Sequence, residues 1–186
     1  MEQKEVRVLL EQVAGGKLDI DEAMLKLKEA PFEDLGFAKP DYHRALRQGI
    51  AEVIYGAGKT PEQIHDIVAS MVQQGQKSIL ITRMSSEAAE AVEQDFILKY
   101  DKYSRLGLVG EIPEPDGIGK VVVAAAGTSD LPVAEEAAQT AECFGNEVVR
   151  LYDVGVAGLH RLLAHREEIM TARVIVAVAG MEGALA

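Results

Sequence analysis

The chain has 186 residues, 48% hydrophobic and 26% charged, the balance of an ordinary soluble globular protein with room for one sizeable domain or two small ones. Its net charge of −11 argues against general nucleic-acid binding, which needs a basic face. No apolar run approaches a bilayer-spanning length, the N-terminus is charged without a signal-peptide core, and the lone cysteine, Cys143, can form neither an internal disulfide nor a metal cluster; a cytoplasmic protein without membrane contact is expected.

Two short helices are expected in the first thirty residues. The first, EQKEVRVLLEQVA, stops at Gly15-Gly16. The second, within LDIDEAMLKLKEA, takes Asp19 or Asp21 as its cap and ends before Pro31. Residues 32–49 show no clear periodicity. IAEVIYG reads as a strand with a turn at Gly56. In KTPEQIHDIVASMVQQG, Thr60 caps a helix, Pro61 opens it and Gly75 closes it. KSILITR reads as a short buried strand, and SSEAAEAVEQDF as a helix with a Ser-x-x-Glu box starting near Ser86.

The stretch Gly110 to Lys120, GEIPEPDGIGK, carries two prolines and three glycines and reads as a linker. It divides the chain into an N-terminal, helix-rich α/β domain (1–115) and a second domain (116–186). In the second, apolar strands are expected at Val121–Ala126, Glu147–Tyr152 and Val174–Ala179. Their starts lie about 26 residues apart, the length of a βαβ repeat. The run VIVAVA lacks alternation, so burial on both faces of a parallel sheet is expected. The chain stops a few residues after this strand, as if cut inside a doubly wound fold.

In an open parallel sheet the ligand lies outside the carboxyl ends of the strands. Three such ends are available: Gly127-Thr128-Ser129-Asp130, the stretch Asp153 to Arg161, and Gly180 to Gly183. Glycine allows close approach of the backbone, and a following helix directs free N–H groups at an anion. Thr128 and Ser129 add hydroxyl donors; Asp130 is placed either to cap the helix or to accept from a ribose hydroxyl. Neither G-x-G-x-x-G nor a Walker sequence is present, so an anion site and plain capping stand level. Arg161 has the geometry for a phosphate or carboxylate, His160 for a proton relay, and Glu182, if buried, for acid–base work. A small basic island, Lys39, Arg44, Arg47 and Lys59 against Asp41 and Glu52, gives residues 39–59 a local charge of +2 and suits one bound anion. Cys143 reads as a small core residue.

The strings AAGTSDLPVAEEAAQTAECFG, LYDVGVAGLHRLL and VIVAVAGMEGAL resemble the LarB-type family of nickel-pincer cofactor biosynthesis, the pyridinium-3,5-biscarboxylic acid mononucleotide synthases. These are relatives of the aminoimidazole ribonucleotide carboxylase of purine synthesis. DYHRALRQGIAEVIYGAGKTPEQI resembles the family's N-terminal domain, which the purine enzyme lacks. The resemblance implies a flavodoxin-like, purine-carboxylase-like second domain, truncated here after its third strand. It implies carboxylation of nicotinic acid adenine dinucleotide by carbon dioxide or bicarbonate, with pyrophosphate cleavage and release of AMP.

It also implies site roles. Gly127, Thr128, Ser129 and Asp130, with Gly158 and Gly180, would hold nucleotide phosphate or ribose. Arg161 would be the phosphate holder beside His160, Glu182 would act on the ring proton, and Arg44, Arg47 and Lys59 would assist from the N-terminal domain. No covalent cofactor is implied; magnesium on the pyrophosphate is chemically suitable. A homo-oligomer, an octamer in the full-length family, is implied. The family's thiolate nucleophile lies beyond Ala186, and Cys143 is not its equivalent, so this chain alone is not expected to complete the reaction. The alternatives are a nucleotide-binding module without catalysis and a purine-type carboxylase or mutase.

Overall fold

The computed structural model describes residues 3–28, 33–42, 44 and 50–186. Helix α1 (Gln3–Ala14) ends where expected: Gly15 N–H donates to Glu11 and Gly16 turns left-handed at φ 65°. Helix α2 (Ile20–Lys28) is capped by Asp19, whose Oδ2 accepts from Asp21 N at 2.9 Å. The two helices pack on each other, and Leu9 and Ala23 are their buried apolar residues.

A four-stranded sheet follows, ordered β1-β2-β4-β3: β1 (Ile54–Tyr55), β2 (Ser78–Thr82), β3 (Leu98–Asp101) and β4 (Leu106–Gly110). β1 runs parallel to β2; β4 is antiparallel to both β2 and β3. Between them lie α3 (Pro61–Gln73), which carries the complete Thr60/Gln63 capping box, and α4 (Ser86–Glu93), whose cap is Ser85 rather than Ser86. One face of the sheet, with Ile54, Ile79, Ile81 and Val109, is closed by Ile64, Val68 and Met71 of α3 and Ala88 and Val92 of α4. Full burial of such side chains contributes roughly 1.5–3 kcal/mol each.

The β3–β4 hairpin was not anticipated from the sequence. Its turn contains neither glycine nor proline. Asp101 makes it instead, Oδ1 accepting from Tyr103 N at 2.9 Å and Oδ2 from Ser104 Oγ at 2.8 Å, while Arg105 takes the left-handed position at φ 58°.

Residues 111–119 carry neither helix nor strand. The second sheet is parallel and ordered β6-β5-β7: β5 (Lys120–Ala125), β6 (Glu147–Leu151) and β7 (Val174–Val178). A 3₁₀ turn (Thr128–Asp130) leads into α5 (Leu131–Cys143); a second 3₁₀ turn (Val156–Gly158), α6 (Leu159–Leu163) and α7 (Arg166–Thr171) join β6 to β7. Alternate residues of β5 serve opposite faces. Val123 and Ala125 pack on Ala134 and Ala138 of α5; Val122 and Ala124 pack with Leu151, Val154, Leu162 of α6 and Ile169 of α7. The fold is therefore α/β, with helices on both sides of the parallel sheet.

β7 corrects one expectation. VIVAVA is parallel but lies at the sheet edge, leaving Val174 50% and Ile175 48% exposed; β5 alone is buried on both faces. The run of apolar residues marks a parallel strand but not its place in the sheet.

Helix α5 lies between the two sheets. Its Ala134 and Ala138 meet β5, while Cys143 packs with Leu80, Leu106 and Leu108 on the far face of the first sheet. That double contact explains its small side chains, which let the sheets approach from both sides. Polar bonds add to the join: Gln139 Nε2 donates to Asp101 at 2.7 Å and Arg83 Nε pairs with Glu136 at 3.0 Å. On the flank of α5, Arg150 of β6 makes a bidentate pair with Glu142 at 2.5 and 2.8 Å and also reaches Glu135, which accepts from Tyr152 Oη at 2.7 Å.

Candidate functional site: the crevice between β5 and β7

Strand order fixes where the parallel sheet opens. From β5 the chain crosses by α5 to β6 on one side; from β6 it returns by α6 and α7 to β7 on the other side of β5. Successive crossovers leave from opposite sides, so the carboxyl ends of β5 and β7 form the topological switch point, where open α/β sheets bind ligands.

Two loops border this crevice. After β5, Ala126 N–H still donates to Val178, then Gly127 is extended at φ −143° and the chain enters the Thr128–Asp130 turn. Thr128 and Ser129 are exposed; as the first residues of the turn their N–H groups have no partner within it. Asp130 is half-buried and spans the crevice: Oδ2 accepts from Gly127 N at 3.1 Å, Oδ1 from Gly180 N at 3.0 Å. A Cβ at residue 180 would sit 3.0 Å from that oxygen, so glycine there admits the contact. Capping of the loop is thus the primary bond set of Asp130. The backbone donors left for an anion belong to Thr128 and Ser129, together with their hydroxyls.

The β6 end comes alongside. Gly155 N donates to Ala126 at 2.9 Å, and a Cβ at 155 would lie 2.7 Å from that carbonyl, so glycine is required there. Asp153 is left-handed at φ 58° and its carboxylate bonds Nη1 of Arg161. The Arg161 side chain lies across Gly158, where a Cβ would fall 2.6 Å from Nε. Asp153 and Gly158 therefore set the arginine's direction. His160 is exposed on α6.

Glu182 departs from expectation. It lies in the loop after β7 with a left-handed backbone at φ 38°, and it is exposed rather than buried. The basic island also divides. Arg47, like His43, lies outside the described residues. Arg44 has a buried Nε without a hydrogen-bond partner, and Lys59 Nζ donates to Tyr55 O at 2.8 Å. Among the described residues, neither Arg44 nor Lys59 bonds to the Gly127–Asp130 turn.

The first sheet reaches the turn through residues the sequence reading passed over. Tyr103 Oη lies 3.5 Å from Thr128 O, and Arg83, next after β2, meets Glu136 on α5. The signal was available: Arg83 follows the buried run SILIT at a strand's carboxyl end, the same kind of position as the three candidate loops of the second sheet. Cys143 is buried at the far end of α5, about 20 Å along a 13-residue helix from the turn. Desolvation raises its thiol to about 11, with Glu142 adding to the effect. A cleft of about 930 Å³ also lies at that end, lined by Val53, Lys77, Glu114, Cys143 and Phe144 among others. It is far from the switch point and from the polar groups gathered there. Among the described residues no three His, Cys, Asp or Glu side chains gather as a metal site, and no helix is long and apolar enough to cross a membrane.

Comparison with known proteins agrees with this architecture. Residues 32–111 match the model of the LarB/PurE-like N-terminal domain, a stretch that includes the whole four-stranded sheet. An uncharacterized protein of Methanocaldococcus jannaschii is 35% identical over 191 aligned positions, covering 98% of this chain and 75% of the relative. The similarity therefore runs through both sheets. With a matched N-terminal domain and a parallel second sheet, this chain belongs to the LarB/PurE-like family, a carboxylase- and mutase-like group.

Proposed function

We propose that the crevice between β5 and β7 binds nicotinic acid adenine dinucleotide and serves its carboxylation on the pyridinium ring, with cleavage of the pyrophosphate to AMP. The observation that carries this reading is the Asp130 bridge, which draws the two loops of the switch point together and leaves the Thr128 and Ser129 donors facing outward. A phosphate at that turn gains N–H and hydroxyl bonds at the start of a 13-residue helix. Arg161, aimed by Asp153 and seated on Gly158, supplies the balancing charge.

In this reading Glu182 and His160 are the groups for proton transfer at the ring. Carboxylation replaces a ring proton, and both side chains are exposed, Glu182 in the loop after β7 and His160 on α6. Magnesium, where present, would ride on the substrate's pyrophosphate oxygens rather than in a protein cage. Cys143, buried and with its thiol held protonated, is not the nucleophile.

The test is to incubate the chain, extended to include the segment in which the resemblance places the family's thiolate, with the dinucleotide and isotopically labelled bicarbonate and to follow products by mass spectrometry. Label in a dicarboxylated mononucleotide together with released AMP supports the proposal. Arg161→Ala should weaken dinucleotide binding, and Glu182→Gln should stop label incorporation with binding retained. The open positions of Glu182 and His160 favour one second reading, a binding module without turnover. That reading predicts dinucleotide affinity with neither labelled product nor AMP.

A further inference from the structure

We propose that Arg83, contributed by the first sheet, is the residue that takes the second phosphate of the dinucleotide. This inference rests on the dinucleotide reading of the β5/β7 crevice. Arg83 is bound to Glu136 through Nε alone, at 3.0 and 3.2 Å to the two carboxylate oxygens. Its Nη1 and Nη2 have no partner among the described residues, and the side chain is 46% exposed. A guanidinium held by its inner nitrogen presents an open outer fork, the edge that matches two phosphate oxygens.

The position of this fork is built into the fold. Arg83 has a left-handed backbone at φ 54°, a conformation costly for a side chain of this size. Arg105 holds it there: Nη2 donates to Arg83 O at 3.2 Å, Nε to Met84 O at 3.3 Å, and its carbonyl accepts from Met84 N at 2.8 Å. Gly56 N adds a bond to Thr82 O at 2.7 Å, and a Cβ at residue 56 would lie 2.9 Å from that oxygen. From Arg105 the hairpin turn continues to Tyr103, whose hydroxyl touches the carbonyl of Thr128. Arg83 and the anion-binding turn are thus linked through the Arg105–Tyr103 hairpin on one side and through Glu136 on α5 on the other. A dinucleotide carries two phosphates; Thr128, Ser129 and Arg161 serve one, and Arg83 is the cation placed for the next. Glu136 holds the fork in position before the ligand arrives.

The test is calorimetric titration of the wild-type chain and Arg83→Gln with nicotinic acid adenine dinucleotide and, separately, with nicotinic acid mononucleotide, which carries one phosphate. The expected result is a loss of about tenfold or more in dinucleotide affinity for the variant, with mononucleotide affinity unchanged, as for removal of one charge-assisted bond. Equal dinucleotide affinities overturn the role of Arg83 while leaving the crevice reading intact; equal losses for both ligands also overturn it, because they mark a general distortion. Wild-type protein that binds neither ligand removes the crevice reading and this inference together. Should Arg83→Gln fail to fold, Arg83→Lys decides, since lysine keeps the charge but lacks the outer fork: weaker dinucleotide affinity with mononucleotide affinity unchanged supports the proposal, and unchanged dinucleotide affinity refutes it.

Discussion

Asp130 Oδ1 accepts a hydrogen bond from the backbone N–H of Gly180 at 3.0 Å, across 50 residues of chain. The same carboxylate takes Gly127 N through its other oxygen. One side chain therefore sets the spacing of the two loops at the switch point, and the shape of the crevice depends on it.

Asp130→Ala should cost about 2 kcal/mol of folding stability, the usual loss when hydrogen bonds to a charged acceptor are removed. Urea denaturation measures it. Dinucleotide affinity should fall further than stability alone explains, since the Thr128 and Ser129 donors lose their frame. A stability change within about 0.5 kcal/mol, the range of neutral surface substitutions, would show that the bridge contributes little.

Gly158→Ala separates direction from charge at Arg161. A methyl group there falls 2.6 Å from Nε, and the arginine must move off its course. The side chain is flexible and half-exposed, so the fold should lose less than about 1 kcal/mol, as in a substitution outside the core. Anion binding at the crevice should nonetheless weaken severalfold. Unchanged affinity by calorimetry would mean that Arg161 need not lie where Gly158 allows it.

Asp101 predicts a pH effect. Burial pushes its pKa up, but hydrogen bonds from Gln139, Tyr103 N and Ser104 outweigh this and lower it below the ordinary 3.8. A depressed carboxylate contributes stability that is present above its unfolded value and lost as pH falls through its folded value. The contribution should therefore be full above about pH 5, one unit clear of the ordinary value, and should disappear below pH 3.8. Asp101→Asn should lower stability at neutral pH and flatten this part of the acid limb in denaturation curves. An unaltered acid limb would contradict the role given to Asp101 in joining the hairpin to α5.

Cys143 should resist alkylation at pH 8, since its thiol is buried and titrates at about 11. Iodoacetamide modification of the folded protein should be slower than of the urea-unfolded chain by orders of magnitude. Rapid reaction in the folded state would place the thiol outside the core between the sheets.

Much of the fold was legible because its signals are local. Thr60 with Pro61, Gly75, and the pair Gly15-Gly16 each declare a helix end by their own chemistry. Strands β5 and β6 announce themselves as apolar runs at βαβ spacing. The β3–β4 hairpin was hidden because Asp101 and Arg105 make its turn without glycine or proline. The exposure of β7 was hidden because strand order is a property of the whole sheet. At the site, glycines and small polar residues after β5 marked the crevice in advance. The Asp130–Gly180 bond did not show, because nothing in either tetrapeptide points to a residue 50 positions away. Arg83 was missed for a related reason: its partner Glu136 lies on a helix of the other sheet.

The most direct measurement is a residue-resolved amide spectrum of the isotope-labelled chain during titration with nicotinic acid adenine dinucleotide. The account predicts shifts at Gly127, Thr128, Ser129 and Gly180, the amides that frame the β5/β7 crevice. Shifts confined to Cys143, Phe144 and Gly145, beside the 930 Å³ cleft at the other end of α5, would contradict it.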